Sequence, residues 1–216
     1  MSDESTLVTQ QHFQYIAERT QREDAFLGSL KAAALEDGIP PIWIAPEQAS
    51  FVQILLRAAK AREVVEIGTL AGYSAIVMAR ALPSDGRIRT IEYLPKHADF
   101  AEKWITQSDV AGRIEVHRGK GMDVLPKFLP NSADVAFLDA DKSSYASYLQ
   151  ECMRIVRRGG LILVDNAFAF GELFSTAPKD REVEAVRTFN EVMAATPGLQ
   201  SVIVPIGDGL WVGVKK

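Results

Sequence analysis

From Arg62 to the C-terminus, short β-rich apolar runs alternate with longer segments of helical periodicity, and few folds accommodate that order. Strand candidates fall at Glu63 to Ile67, Arg87 to Glu92, Arg113 to His117, Asp134 to Leu138 and Leu161 to Val164. Helical patterns lie between them at Tyr73 to Ala81, Pro95 to Ser108 and Ser143 to Val156, with a short one near Met122 to Phe128. Such a βαβ series buries both faces of a parallel sheet under helices. After Pro178 come a helical stripe (Val183, Val186, Phe189, Met193) and two strands, Ser201 to Val204 and Leu210 to Val214, joined through Gly207-Asp208-Gly209. The expected fold is α/β: a Rossmann-like, doubly wound, mostly parallel seven-stranded sheet with an antiparallel C-terminal hairpin and extra N-terminal helices.

The N-terminal helices are read from stripes at Phe26, Leu27, Leu30, Ala34 and at Phe51, Leu55, Leu56, separated by Gly38-Ile39-Pro40-Pro41. No repeat or linker interrupts the 216 residues, so one domain is expected over 1–216, with 1–45 as a helical prelude. The opening MSDESTLVTQQ is polar and acidic where a secretory signal needs a basic start and an apolar core, which points to the cytoplasm. The most apolar stretch, Leu161 to Val164, runs into Asp165-Asn166, far short of the roughly 18 residues of a membrane span. A net charge of −4 without a basic cluster gives no footprint for nucleic acid. The single cysteine, Cys152, excludes internal disulfides and multi-cysteine zinc sites, and its helical spacing with Tyr145, Tyr148 and Leu149 reads as core packing.

Open parallel sheets bind ligands beyond the C-terminal ends of their strands. The first such edge reads VVEIGTLAGYSA, where Gly68 and Gly72 permit a tight turn and the helix after Gly72 presents free N–H groups. The Gly-x-Gly-x-x-Gly fingerprint is missing, which disfavours a nicotinamide dehydrogenase, and neither a Walker motif nor a Gly-x-Ser-x-Gly elbow is present. Glu92 ends the second strand, where a carboxylate can accept both ribose hydroxyls; the bland alternative is a solvated strand-end charge. Glu66 interrupts an apolar run and needs a partner, either a ligand's amino group or backbone amides.

These features resemble the class I S-adenosylmethionine-dependent methyltransferases. The segments EIGTLAGYSA, FLDADKSSYASYL, GGLILVDNAF and PIGDGL, in this order from about Ile42 onward, are similar to the cation-dependent O-methyltransferases of the catechol and caffeoyl-coenzyme A type. The resemblance implies S-adenosylmethionine as cofactor, held by Glu66, Gly68, Thr69, Ser74, Glu92, Gly121 and Asp141 together with the Gly72 turn, and by the backbone of Ile44. Gly121 stands where relatives often carry alanine or serine. A homodimer is also implied.

Asp139 ends the fourth strand and Asp165-Asn166 the fifth, so neighbouring strands roughly 4.8 Å apart bring three oxygen ligands to one edge. Taken singly, Asp165-Asn166 opens a turn and Asp139 caps a helix. Two adjacent carboxylates repel unless a cation lies between them, and the family places its metal at these three positions. Oxygen ligands suit Mg²⁺ or Mn²⁺ and disfavour zinc. Lys142, three residues after Asp139, matches the family's general base, and a nearby dication and helix end would lower its pKa; a solvated surface lysine is the alternative.

The expected reaction is methyl transfer to a hydroxyl of a catechol-like, hydroxylated aromatic acceptor, with Lys142 and Asp139 as catalytic residues. The apolar segment after Asn166 offers Phe168 or Phe170 as an acceptor wall, or as packing under the loop, and Trp211 and Trp43 are further aromatic candidates or simply core. The chain departs from its relatives here, which commonly carry a tryptophan near Ala169 and a double glycine at Phe170-Gly171. The rival readings are a metal-free methyltransferase and a catalytically silent nucleoside-binding or dimerisation module.

Overall fold

The computed structural model describes residues 7–216, so most of the acidic start of the chain lies outside the described residues. The strands are β1 (Glu63–Ile67), β2 (Arg87–Glu92), β3 (Ile114–Arg118), β4 (Ala133–Leu138), β5 (Val156–Val164), β6 (Leu199–Val204) and β7 (Leu210–Lys215). They form one seven-stranded sheet in the order β3-β2-β1-β4-β5-β7-β6. The first five strands pair in parallel, and the β6–β7 hairpin joins β5 antiparallel, with Val164 opposite Trp211.

Alternation along the strands explains why helices cover both faces. Val64, Ile88, Val135, Phe137 and Leu163 point into one apolar cluster, while Val65, Ile67, Ile91, Ala136, Leu138 and Val164 point into another. The first cluster lies under α2 (Ala25–Glu36), α3 (Pro46–Ala58), α4 (Tyr73–Ala81) and α5 (Pro95–Gln107). The second lies under the short α6 (Gly121–Val124), α7 (Tyr145–Ile155) and α8 (Val183–Ala195). Cys152 is buried in it, as its spacing predicts. Proline opens α3 and α5, where the first turn has no use for its missing N–H.

Three elements differ from the sequence reading. A helix α1 (Gln10–Arg19) precedes the stripes at Phe26 and Phe51; it buries no residue, so no apolar stripe announced it. Strand β5 begins at Val156 instead of Leu161: the half-exposed Arg157 and the exposed Arg158 and Gly159, the last with φ of 73°, lie in an irregular stretch where the pairing with β4 shifts register between Ala133 and Val135. The segment Met122 to Phe128 divides into α6 and a 3-10 turn at Leu125–Lys127. No helix among the described residues is long and apolar enough to cross a membrane.

Candidate functional site

A cavity of about 1160 Å³ opens over the C-terminal ends of the parallel strands. Its wall includes Ile44, Gly68, Thr69, Ser74, Glu92, Gly121 and Asp141 toward β1, β2 and α6, and Asp139, Lys142, Asp165, Asn166 and Phe170 toward β4 and β5. Glu66, Gly72, Phe168 and Trp211 stand behind the wall. Trp211 is buried and donates from Nε1 to Asn190 Oδ1 at 2.7 Å. Phe168 packs against Gly209. Trp43 does reach the cavity.

The glycine turn after β1 has a steric cause. Gly68 takes φ of 100°, and a Cβ there would lie 1.9 Å from the Asp139 carbonyl oxygen, so only glycine lets β1 and β4 meet at this edge. Gly72, with φ of 84°, precedes α4 and packs on Ala101 and Ile105. Glu92 is buried and shaped by the same turn: its Oε2 accepts from Leu70 N at 2.9 Å and Thr69 N at 3.3 Å, and its Oε1 from Leu94 N at 2.8 Å. A solvated strand-end charge is not what forms here.

Glu66 is fully buried, and its partners are hydroxyls where the sequence pointed to amides or a ligand. Ser74 Oγ bonds one oxygen, and Thr90 Oγ1 bonds the other at 2.5 Å. Burial pushes its carboxyl up to about 8, against the pull of the two hydroxyl bonds, so an uncharged carboxyl is what the interior tolerates.

Gly121 also has a packing reason. A Cβ there would fall 2.5 Å from the Tyr148 ring, and the Tyr148 hydroxyl donates to Asp141 Oδ1 at 2.6 Å. Tyr148, buried in the second apolar cluster as its helical spacing predicts, also lines the cavity.

At the other end, Asp139 and Asp165 follow neighbouring strands, as Asp139 N donates to Ile67 O at 2.9 Å and Asp165 N to Leu138 O at 3.0 Å. Burial pushes Asp165 up to about 7, the charge of Asp139 adds to the rise, and a bond from Gln48 opposes it. Gln48, itself buried, donates from Nε2 to Asp165 Oδ1 at 2.5 Å. Asn166 has φ of 64° and donates from Nδ2 to Asp208 Oδ2 at 3.0 Å; its carbonyl accepts from Ala169 N, so it opens a turn as well. Gln48 carried no sequence signal, and Asp208 read only as a turn residue.

Lys142 is 6% exposed, which excludes a solvated surface lysine. Its Nζ donates to Asp139 Oδ1 at 3.1 Å and to the Tyr145 hydroxyl at 2.7 Å. Burial acts to lower its pKa, but Tyr145, Asp139 and Asp165 outweigh that and hold the ammonium above the usual lysine value. Tyr145 and the ion pair with Asp139 set this direction, whereas the lowered value expected from the sequence belongs to a site holding a dication. Lys142 sits in a 3-10 turn ahead of α7 rather than at the helix start itself.

The donor set fits a hard dication on its chemistry: two carboxylates and an amide oxygen, the carboxylates mutually repelling, Asp165 buried and Asp139 partly so. Among the described residues no group of three or more His, Cys, Asp or Glu side chains is arranged to hold a metal ion; here the third donor is an amide.

A parallel sheet ending in a reversed hairpin, with a glycine-turned cavity over its strand ends, defines the S-adenosylmethionine-dependent methyltransferase class. The O-methyltransferase family model matches residues 17–216. Catechol O-methyltransferase of Niastella koreensis is 37% identical over 94% of this chain and 90% of its own length. The enzyme of the same name from Mycobacterium tuberculosis is 36% identical over 88% and 87%. The crystal structure of an O-methyltransferase from Bacillus cereus in complex with SAH superposes with a TM-score of 0.85 at 32% identity, covering 94% of this chain and 96% of that one. The chain belongs to the O-methyltransferase family and is an S-adenosylmethionine-dependent enzyme.

Proposed function

We propose that this enzyme methylates one hydroxyl of a catechol-like vicinal diol, with a divalent cation held by Asp139, Asp165 and Asn166 and with Lys142 as general base. The observation that carries this reading is the meeting of those three oxygen donors and a buried lysine at one end of the cavity whose other end is the glycine turn. The name shared by the relatives from N. koreensis and M. tuberculosis supports a vicinal diphenol as acceptor.

S-adenosylmethionine supplies a methyl group on a sulfonium that is already a good leaving group, and Mg²⁺ or Mn²⁺ supplies a fixed positive charge favouring ionisation of an adjacent hydroxyl. The remaining work belongs to the chain. Glu92 and the amides of Thr69 and Leu70 form a pre-set edge for a ribose, the carboxylate oriented before any ligand arrives. Gly68 lets a ligand approach the backbone, and Asp141, held by Tyr148, keeps a carboxylate facing the same cavity.

Asp139 is shared between the lysine and the proposed cation site. With the charges of Asp139 and Asp165 offset by a cation held between them, Lys142 loses both of the carboxylate attractions that keep it protonated, and burial, the largest single influence on it, then acts toward the neutral amine. In that form Lys142 Nζ accepts the acceptor's hydroxyl proton, and Tyr145 keeps the nitrogen in place. Phe170, whose ring lies 6.0 Å from Lys142 Nζ, closes the acceptor side. Trp43 is a second aromatic contact. Residues 1–216 act as one domain, and a homodimer is the assembly to test by sedimentation.

Comparing rates on vicinal diphenols, monophenols and coenzyme A esters of diphenolic acids tests the acceptor class. A vicinal diphenol turned over well and a monophenol poorly is the expected result. Equal rates on both would overturn the catechol assignment.

A further inference from the structure

Asn166 contributes to the proposed site only if its amide is turned the right way, and the structure shows what turns it. Asp208, in the turn between β6 and β7, accepts from Asn166 Nδ2 at 3.0 Å through Oδ2. An ionised carboxylate is acceptor only, so it selects the amide's N–H side and leaves Asn166 Oδ1 as the atom free for a ligand. The same carboxylate accepts from Phe170 N at 2.8 Å and Gly171 N at 3.1 Å. It thereby ties down a segment in which Asn166, Ala169 and Phe170 all have left-handed φ, at 64°, 53° and 60°. Non-glycine residues adopt that region only where their surroundings over-determine it.

The turn is shaped for this position on both sides. A Cβ on Gly207 would lie 2.1 Å from Gln48 Oε1, and Gln48 is the residue that bonds Asp165. A Cβ on Gly209 would lie 2.8 Å from Phe168 Cγ. Two backbone bonds, Phe168 N to Asp208 O and Ala167 N to Gly209 O, each 2.9 Å, hold the two segments in register.

We infer that Asp208 is a positioning residue for the cation site, acting through the Asn166 amide; the inference rests on the metal reading above. The carboxylate fixes the amide's rotamer and polarises it, which enriches the carbonyl oxygen as a donor, as outer partners of metal ligands do. Asp208 is placed to act on the site without itself ligating.

The test is Mn²⁺ titration followed by electron paramagnetic resonance on the full chain, with SAH affinity by calorimetry as a check on the fold. Asp208→Asn should weaken Mn²⁺ binding by about 10- to 100-fold, the usual effect of removing an outer partner, while SAH affinity stays unchanged. In an Asn166→Asp background the amide donor is gone, so Asp208→Asn should produce no further loss, a coupling that a general loosening of the loop would not show. Mn²⁺ affinity undiminished in Asp208→Asn, or an equal loss in both backgrounds, overturns the inference and leaves the metal reading standing. Failure of the unsubstituted chain to bind Mn²⁺ overturns both. Should the amide variant lose SAH binding, Asp208→Ser, which removes the carboxylate and keeps a short polar side chain in the turn, carries the same comparison with the same expected and contrary results.

Discussion

Lys142 and Glu66 are both buried ionisable groups, and the structure assigns them opposite characters. Lys142 is charged and paired, 3.1 Å from Asp139, and its proposed role requires it to give that charge up during turnover. Lys142→Ala should lower kcat by about 10²-fold or more with cofactor affinity little changed, and Lys142→Arg should not rescue it, because a guanidinium keeps the charge but does not deprotonate. Steady-state kinetics beside SAH calorimetry checks this, and wild-type kcat in both variants would refute the base. Glu66 instead holds a proton. Its folded value of about 8 against an ordinary 4.5 means that the stabilising protonation is fully present below the unfolded value and is lost as pH rises through the folded one. Stability should therefore fall between pH 4.5 and 8, and Glu66→Gln should make that fall shallower in urea titrations across the range. An identical slope in the variant would contradict the buried, protonated carboxyl. That Glu66 needed a partner was legible from a charge inside an apolar run. That the partner is Thr90 was not, because it depends on the parallel register that sets Glu66 beside Thr90 on β2.

The elements that the sequence foretold best are those whose two faces are both buried. Strands β1 and β2 begin and end where their apolar runs do, and α4 starts directly after Gly72. The elements that depart are governed by the surface: α1 buries nothing, and the first residues of β5 include exposed arginine and glycine that look like a break. At the same scale lies the junction of the β1–α4 turn with β4. Gly68→Ala would place a methyl 1.9 Å from a backbone oxygen and force a residue with φ of 100° into a region side chains avoid. It should destabilise the fold by about 3 kcal/mol or more, since neither backbone has room to retreat, and it should abolish SAH binding. Thermal denaturation with and without SAH measures both; a variant of unchanged stability that still binds SAH would show that the two strand ends are looser than described. Gly121→Ala should be milder, because the clash is with the Tyr148 ring, which can move; an overpacked contact of this kind costs about 1–3 kcal/mol.

On the scale of the whole molecule, one sheet edge gathers residues from β1, β2, the segments that follow β4 and β5, α3, α4, α6, α7 and the final hairpin turn around a single cavity. Asp139, Lys142, Asp165 and Asn166 were readable as a group because each follows a strand that the apolar runs had already located. Gln48 and Asp208 were not, since they reach the site from elements whose position over the edge depends on tertiary packing: Gln48 from α3 and Asp208 from the turn that β7 carries alongside β5. The central claim is that this assembly methylates with the help of a divalent cation. Methyl transfer from S-adenosylmethionine to a vicinal diphenol, followed on metal-stripped enzyme in excess EDTA and again after Mg²⁺ is returned in excess, tests it most directly. The account predicts loss of turnover in EDTA and its recovery with Mg²⁺, while SAH binding persists throughout. Full activity of the metal-stripped enzyme in EDTA would contradict it and leave a metal-free O-methyltransferase in its place.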